Sequence, residues 1–102
     1  MPDSIPEAAG DNLDADISKL RRAIDEIDEK IMDLVNRRLK LAQLIGRIKK
    51  QSGMGVTDRQ REKEIINRLL HKNQGLIGNE GLQRIFAAII AEGRSVQKRI
   101  ER

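Results

Sequence analysis

From Asp14 to Gln51 the chain contains no proline and a single glycine, Gly46. Its aliphatic residues Leu20, Ile24, Ile27, Ile31, Leu34, Leu41, Ile45 and Ile48 fall on one heptad seam. Spacings of three and four residues bring side chains onto one face of an α-helix, so this segment predicts one long helix. Ser52-Gly53-Met54-Gly55-Val56 breaks the pattern. After it, Thr57 with Gln60, or Asp58 alone, offers an N-cap for a second helix running to about Lys72. Asn73-Gln74-Gly75-Leu76-Ile77-Gly78 reads as a turn and Asn79 as the next N-cap. Leu82, Ile85, Phe86, Ile89, Ile90, Val96 and Ile100 form the stripe of a third helix. No strand pattern and no internal repeat is visible. The fold class is all-α, with one long and two shorter helices per chain.

A first helix of about 35 residues is about 52 Å long at 1.5 Å per residue. A compact chain of this size is only about 33 Å across. Two shorter helices of the same chain cannot cover such a seam, which predicts an intertwined homodimer. The opening segment, residues 1–14, carries Pro2, Pro6 and Gly10 with several acids and few apolar residues, and is expected to be disordered. Residues 15–102 then form one domain, the number that 102 residues ordinarily support.

Composition narrows the chemistry. There is no cysteine and a single histidine, His71, so neither a thiolate site nor a histidine zinc site is expected, and no metal is predicted. No apolar run is long enough to span a bilayer, and the N-terminus lacks the basic-then-apolar order of a signal peptide, so a cytoplasmic protein without membrane attachment is expected. The net charge of +4 raises the question of nucleic acid. Acids alternate with bases from Asp14 to Glu64, and Phe86 is the only aromatic residue, so neither a single-sign stripe nor a stacking platform exists. No nucleic-acid partner is predicted.

Several charges occupy positions that the apolar pattern reserves for aliphatic side chains. Arg38 sits on the heptad seam between Leu34 and Leu41. An unpaired buried charge is costly, so Arg38 either snorkels to water or meets an anion inside. Lys49, eleven residues on, returns to within about 20° of the same face. Arg21 lies some 25 Å from Arg38 along the helix and cannot join it within one chain, although an antiparallel partner would bring a second Arg21 alongside. Asp58, Arg61 and Glu62 lead the Ile65, Ile66, Leu69 side of the second helix, and Gln97 follows Ile90 on the third. Taken singly, these positions fit an N-cap, a surface pair or a polar helix end. Together they bring polar groups from three helices, with cations in excess, onto a core without a nucleophile, which implies a small ligand with more than one negative group.

At these residues the sequence resembles the all-helical chorismate mutase family, over about Leu20 to Lys98. Leu20-Arg21-Arg22-x-Ile24-Asp25-x-Ile27-Asp28 is similar to the family's opening, and Arg37-Arg38 with Gly46-Arg47-x-Lys49 to its first-helix core. Val56-x-Asp58-x-x-Arg61-Glu62 resembles its loop-to-helix motif, and Ile89-Ile90 through Gln97 its last helix. The resemblance implies rearrangement of chorismate to prephenate, in phenylalanine and tyrosine biosynthesis, without metal, cofactor or covalent intermediate. It assigns the two substrate carboxylates to Arg38 and to Arg21 of the second chain, and a carboxylate and the ether oxygen to Lys49. It gives Gln97 a second hydrogen bond to that oxygen. Glu62 and the Asp58 backbone would take the ring hydroxyl, with Arg61 supporting Glu62 and the anionic end. Where the family often has a serine one turn before the glutamine, this chain has Gly93, followed by Arg94 and Ser95.

Two relatives on the same scaffold, an isochorismate pyruvate lyase and an aminodeoxychorismate mutase, remain alternatives, as does a helical dimerisation module without catalysis. The sequence leaves open association with another shikimate-pathway enzyme.

Overall fold

The computed structural model describes residues 12–99, which form three helices: α1 (Leu13–Gln51), α2 (Arg59–Lys72) and α3 (Asn79–Arg99). There is no strand among the described residues. Residues 1–11 of the segment expected to be disordered, and Ile100 of the third stripe, lie outside them. Leu13 and Asp14 are helical rather than part of that segment. The reason is a cap one residue earlier: Asn12 Oδ1 accepts from the Ala15 backbone N–H at 3.1 Å, and Asp14 and Asp16 place negative charge in the first turn.

The far end of α1 closes on Gly53, whose φ of 71° is open to glycine without strain. Gly53 N–H donates to the Lys50 carbonyl at 3.2 Å, and Met54 N–H to the Lys49 carbonyl at 2.8 Å. These two bonds make a Schellman cap, satisfying carbonyls that the helix end would otherwise orphan. Of the two caps considered for α2, Asp58 is the one used: its Oδ1 accepts from Arg61 N–H at 3.0 Å. Asn73 fastens the turn between α2 and α3, accepting from Gly75 N–H at 3.1 Å and donating through Nδ2 to the Ile77 carbonyl at 2.7 Å.

The described residues divide into two compact units, the first ending at Asn36 and the second beginning at Arg37. Within the first, Ile24, Ile31 and Leu34 of the α1 seam are exposed. The second unit holds the last turns of α1 with α2 and α3, which pack against each other. Its buried aliphatic residues are Ala42, Ile65, Leu82 and Ile90. Along α1, the seam residues Ile24, Ile31, Leu34, Leu41, Ile45 and Ile48 range from 49% to 62% exposed. A regular aliphatic seam left this open is a face that a single chain does not cover.

Candidate active site

A cleft of about 270 Å³ opens in the second unit. α1 contributes Arg38, Leu41, Ala42, Ile45 and Lys49. The connection to α2 contributes Val56 and Asp58, α2 contributes Arg61, Glu62 and Ile65, and α3 contributes Ile90, Gly93, Arg94 and Gln97. Six of the seven residues singled out in the sequence therefore line one cleft. Arg21 belongs to the first unit, is exposed, and is not among the lining residues.

Each charged group reaches the cleft for a local reason. Lys49 is in the last turn of α1, and its Nζ donates to the Val56 carbonyl at 3.1 Å. That bond ties the ammonium to the loop that the Schellman cap has just folded back, and leaves two of its three N–H donors for a ligand. Asp58 spends one carboxylate oxygen on capping α2, so its position is fixed by the helix start. Arg61 and Glu62 follow in the first turn.

Arg38 lies over Gly93. A Cβ built on Gly93 would stand 3.6 Å from Arg38 Nη1 and 3.8 Å from the Ala42 methyl, so the glycine leaves room beside the guanidinium without being required by a clash. Burial, and after it the charges of Arg61 and Arg68, hold the Arg38 guanidinium below its ordinary value. These causes share one remedy: a negative charge placed in the cleft. Four cations, Arg38, Lys49, Arg61 and Arg94, face two carboxylates, Asp58 and Glu62, so the lining as it stands carries surplus positive charge.

Gln97 supplies the clearest unmet demand. Its Oε1 is buried and has no hydrogen-bond partner. Buried polar atoms are nearly always paired, so an orphan facing a cleft marks a place where a ligand or water belongs. An amide turned over at this point presents its NH₂ instead, so the position can accept or donate.

Glu62 is not paired with its neighbour Arg61. Its two oxygens lie 3.0 and 3.2 Å from Nη1 of Arg94. Arg94, which the apolar pattern of α3 does not single out, lines the cleft as well. The available signal was its spacing, four residues after Ile90 and three before Gln97, which sets it on the same face of α3.

The arrangement offers cationic forks, a fixed ammonium, an amide and an aliphatic floor of Leu41, Ile45, Ile65 and Ile90. Among the described residues no group of His, Cys, Asp and Glu could hold a metal ion, and no helix is long and apolar enough to cross a membrane. Such a lining can bind and fold a small dianion and stabilise charge that develops on it.

Comparison with known proteins agrees. The chain is 37% identical over 90 residues to a bifunctional chorismate mutase/prephenate dehydratase of Aquifex aeolicus; the match takes in 84% of this chain and 25% of that protein. It thus spans about a quarter of that relative's length. A chorismate mutase of Methanocaldococcus jannaschii is 37% identical over 84 residues, 80% of this chain and 84% of that one. Among solved structures, a chorismate mutase (form II) from Thermus thermophilus superposes with a TM-score of 0.80 at 29% identity, covering 81% of this chain and 94% of the other. Residues 20–98 match the family described as chorismate mutase type II, and the chain belongs to that family.

Proposed function

We propose that this chain catalyses the Claisen rearrangement of chorismate to prephenate, in the cytoplasm, as a homodimer in which each cleft is completed by the partner's Arg21. The observation that carries the reading is convergence: three helices deliver Arg38, Lys49, Asp58, Arg61, Glu62 and Gln97 to one cleft with surplus positive charge. The exposed α1 seam supports the dimer, since a second copy offers the same aliphatic face.

A Claisen rearrangement breaks a C–O bond and makes a C–C bond within one molecule, so no acid, base or nucleophile is needed. Arg38 and the partner's Arg21 take the two carboxylates, because planar guanidinium forks match them in shape and charge. Gripped at both ends, the enolpyruvyl arm is held over the ring near the reactive geometry. Partial negative charge grows on the ether oxygen as its bond to the ring lengthens. Lys49 and Gln97 donate to that oxygen, each preorganised donor being worth about 3 kcal/mol in the transition state. Glu62 and the Asp58 backbone hold the ring hydroxyl, and Arg61 faces the anionic end. The bifunctional name of the Aquifex relative supports association with an enzyme that consumes prephenate.

Incubating the purified chain separately with chorismate, isochorismate and aminodeoxychorismate tests the reading. Prephenate from chorismate is expected. Turnover of one of the other two substrates in preference to chorismate would assign the scaffold to a relative instead.

A further inference from the structure

Glu62 is the carboxylate in the cleft with both oxygens engaged by a guanidinium. Arg94 reaches across from α3 so that Nη1, which carries two hydrogens, meets Oε1 at 3.0 Å and Oε2 at 3.2 Å. The two side chains are 33% and 22% exposed, so the pair is screened less than one on the open surface. A glutamate on the first turn of a helix otherwise samples several rotamers, and a contact from a second helix selects one. Arg61, the neighbour to which the family resemblance gives the support of Glu62, does not make this contact, and lines the cleft separately.

We propose that Arg94 is a positioning residue: from α3 it fixes the Glu62 carboxylate on α2 where that carboxylate accepts the substrate's ring hydroxyl. The inference rests on the chorismate mutase reading above. It gives Arg94, the residue that follows the glycine standing where the family often has a serine, a task of its own. Gly93 leaves space beside Arg38, while the next residue braces the opposite wall.

The kinetic signature follows from where the hydroxyl sits. It belongs to neither the bond that breaks nor the bond that forms, so the Glu62 contact is equally strong in ground and transition states. Loss of uniform binding raises KM and leaves kcat alone. A group donating to the ether oxygen would instead lower kcat.

The test is a double-mutant cycle on the full chain with Arg94→Ala, Glu62→Ala and the pair, assayed with chorismate and with an analogue whose ring hydroxyl is replaced by hydrogen. Arg94→Ala is expected to raise KM for chorismate on the order of tenfold with kcat within about twofold, and the double variant to be no worse than Glu62→Ala alone. On the deoxy analogue, Arg94→Ala and parent should be equal. Arg94→Lys should recover part of the loss, and Arg94→Gln replaces Arg94→Ala in the cycle if the alanine variant fails to fold. Additive losses, a fall in kcat at unchanged KM, an equal penalty on the deoxy analogue, or no effect would each overturn the proposal. A parent chain inactive on chorismate would overturn the functional reading itself, and is therefore told apart from a failure of the Arg94 inference alone.

Discussion

Replacing Arg38 with alanine separates catalysis from folding more cleanly than any other single change in this chain. In the folded protein its guanidinium is held below the ordinary arginine value by burial first and by Arg61 and Arg68 after it. A lowered value on a cation means that the charged form costs the fold stability at every pH below that value, which covers all assay conditions. Deleting the charge removes this cost. The lost contacts of the aliphatic stem oppose the gain, and because the cleft is open, no sealed cavity remains. The net change in stability should be within about 1 kcal/mol, which moves the unfolding midpoint of a domain this size by less than about 8 °C. Activity should respond very differently. A bidentate fork on a carboxylate makes two charge-assisted hydrogen bonds of about 1.5–3 kcal/mol each, roughly 3–6 kcal/mol together. At about 1.4 kcal/mol per decade, kcat/KM should fall by about 10² to 10⁴. The assay pairs the loss of chorismate absorbance with thermal unfolding and light scattering on the same sample. Unfolding, or loss of the dimer without a separate catalytic defect, would show that Arg38 is structural and refute the reasoning.

Three further outcomes follow from the cleft. Gln97→Glu should work best in acid and fade towards neutral pH, because a glutamate donates to the ether oxygen only when protonated and its carboxylate opposes the charge growing there; a flat ratio of variant to parent turnover from about pH 4.5 to 8 would remove Gln97 from that role. An equal mixture of the inactive variants Arg21→Ala and Arg38→Ala should regain roughly a quarter of the parent's activity after subunit exchange, since half the dimers are mixed and each has one intact site. Activity at background after confirmed exchange would place both residues in one chain's site. Gly93→Ser should fold with an unfolding midpoint at or above the parent's, because a Cβ there meets Arg38 and Ala42 only at ordinary contact distance and serine favours a helix interior over glycine by a few tenths of a kcal/mol. A lowered midpoint, read by circular dichroism, would show that the space at Gly93 is needed by the fold.

The sequence could be read furthest where one physical signal dominated. The aliphatic period of α1, the break at Gly53 and the turn at Asn73 are local, and the three helices lie where those signals put them. The anomaly of Arg38 on an apolar seam was equally local, because a charge at a core position is informative without any neighbour. Pairing across helices was not legible. Glu62 has adjacent cations at Arg61 and Lys63, which as immediate helical neighbours do not face it, and Arg59 a turn back; the packing of α2 on α3 brings Arg94 to its oxygens instead. The choice between Thr57 and Asp58 as the cap of α2 likewise turned on loop geometry, which the Lys49 contact to Val56 helps to set. Arg21 lies beyond both kinds of signal, since its proposed site requires a second copy of the chain.

That this cleft rearranges chorismate is checked by following chorismate consumed by the purified chain and identifying the product by proton NMR, with Arg38→Ala as the matched control. Stoichiometric prephenate is expected, formed without added metal or cofactor, at a rate the control reduces at least a hundredfold, in line with the roughly 3 kcal/mol lower bound for the carboxylate fork. Chorismate left unchanged by a folded, dimeric chain, or prephenate formed equally fast by the control, would contradict it.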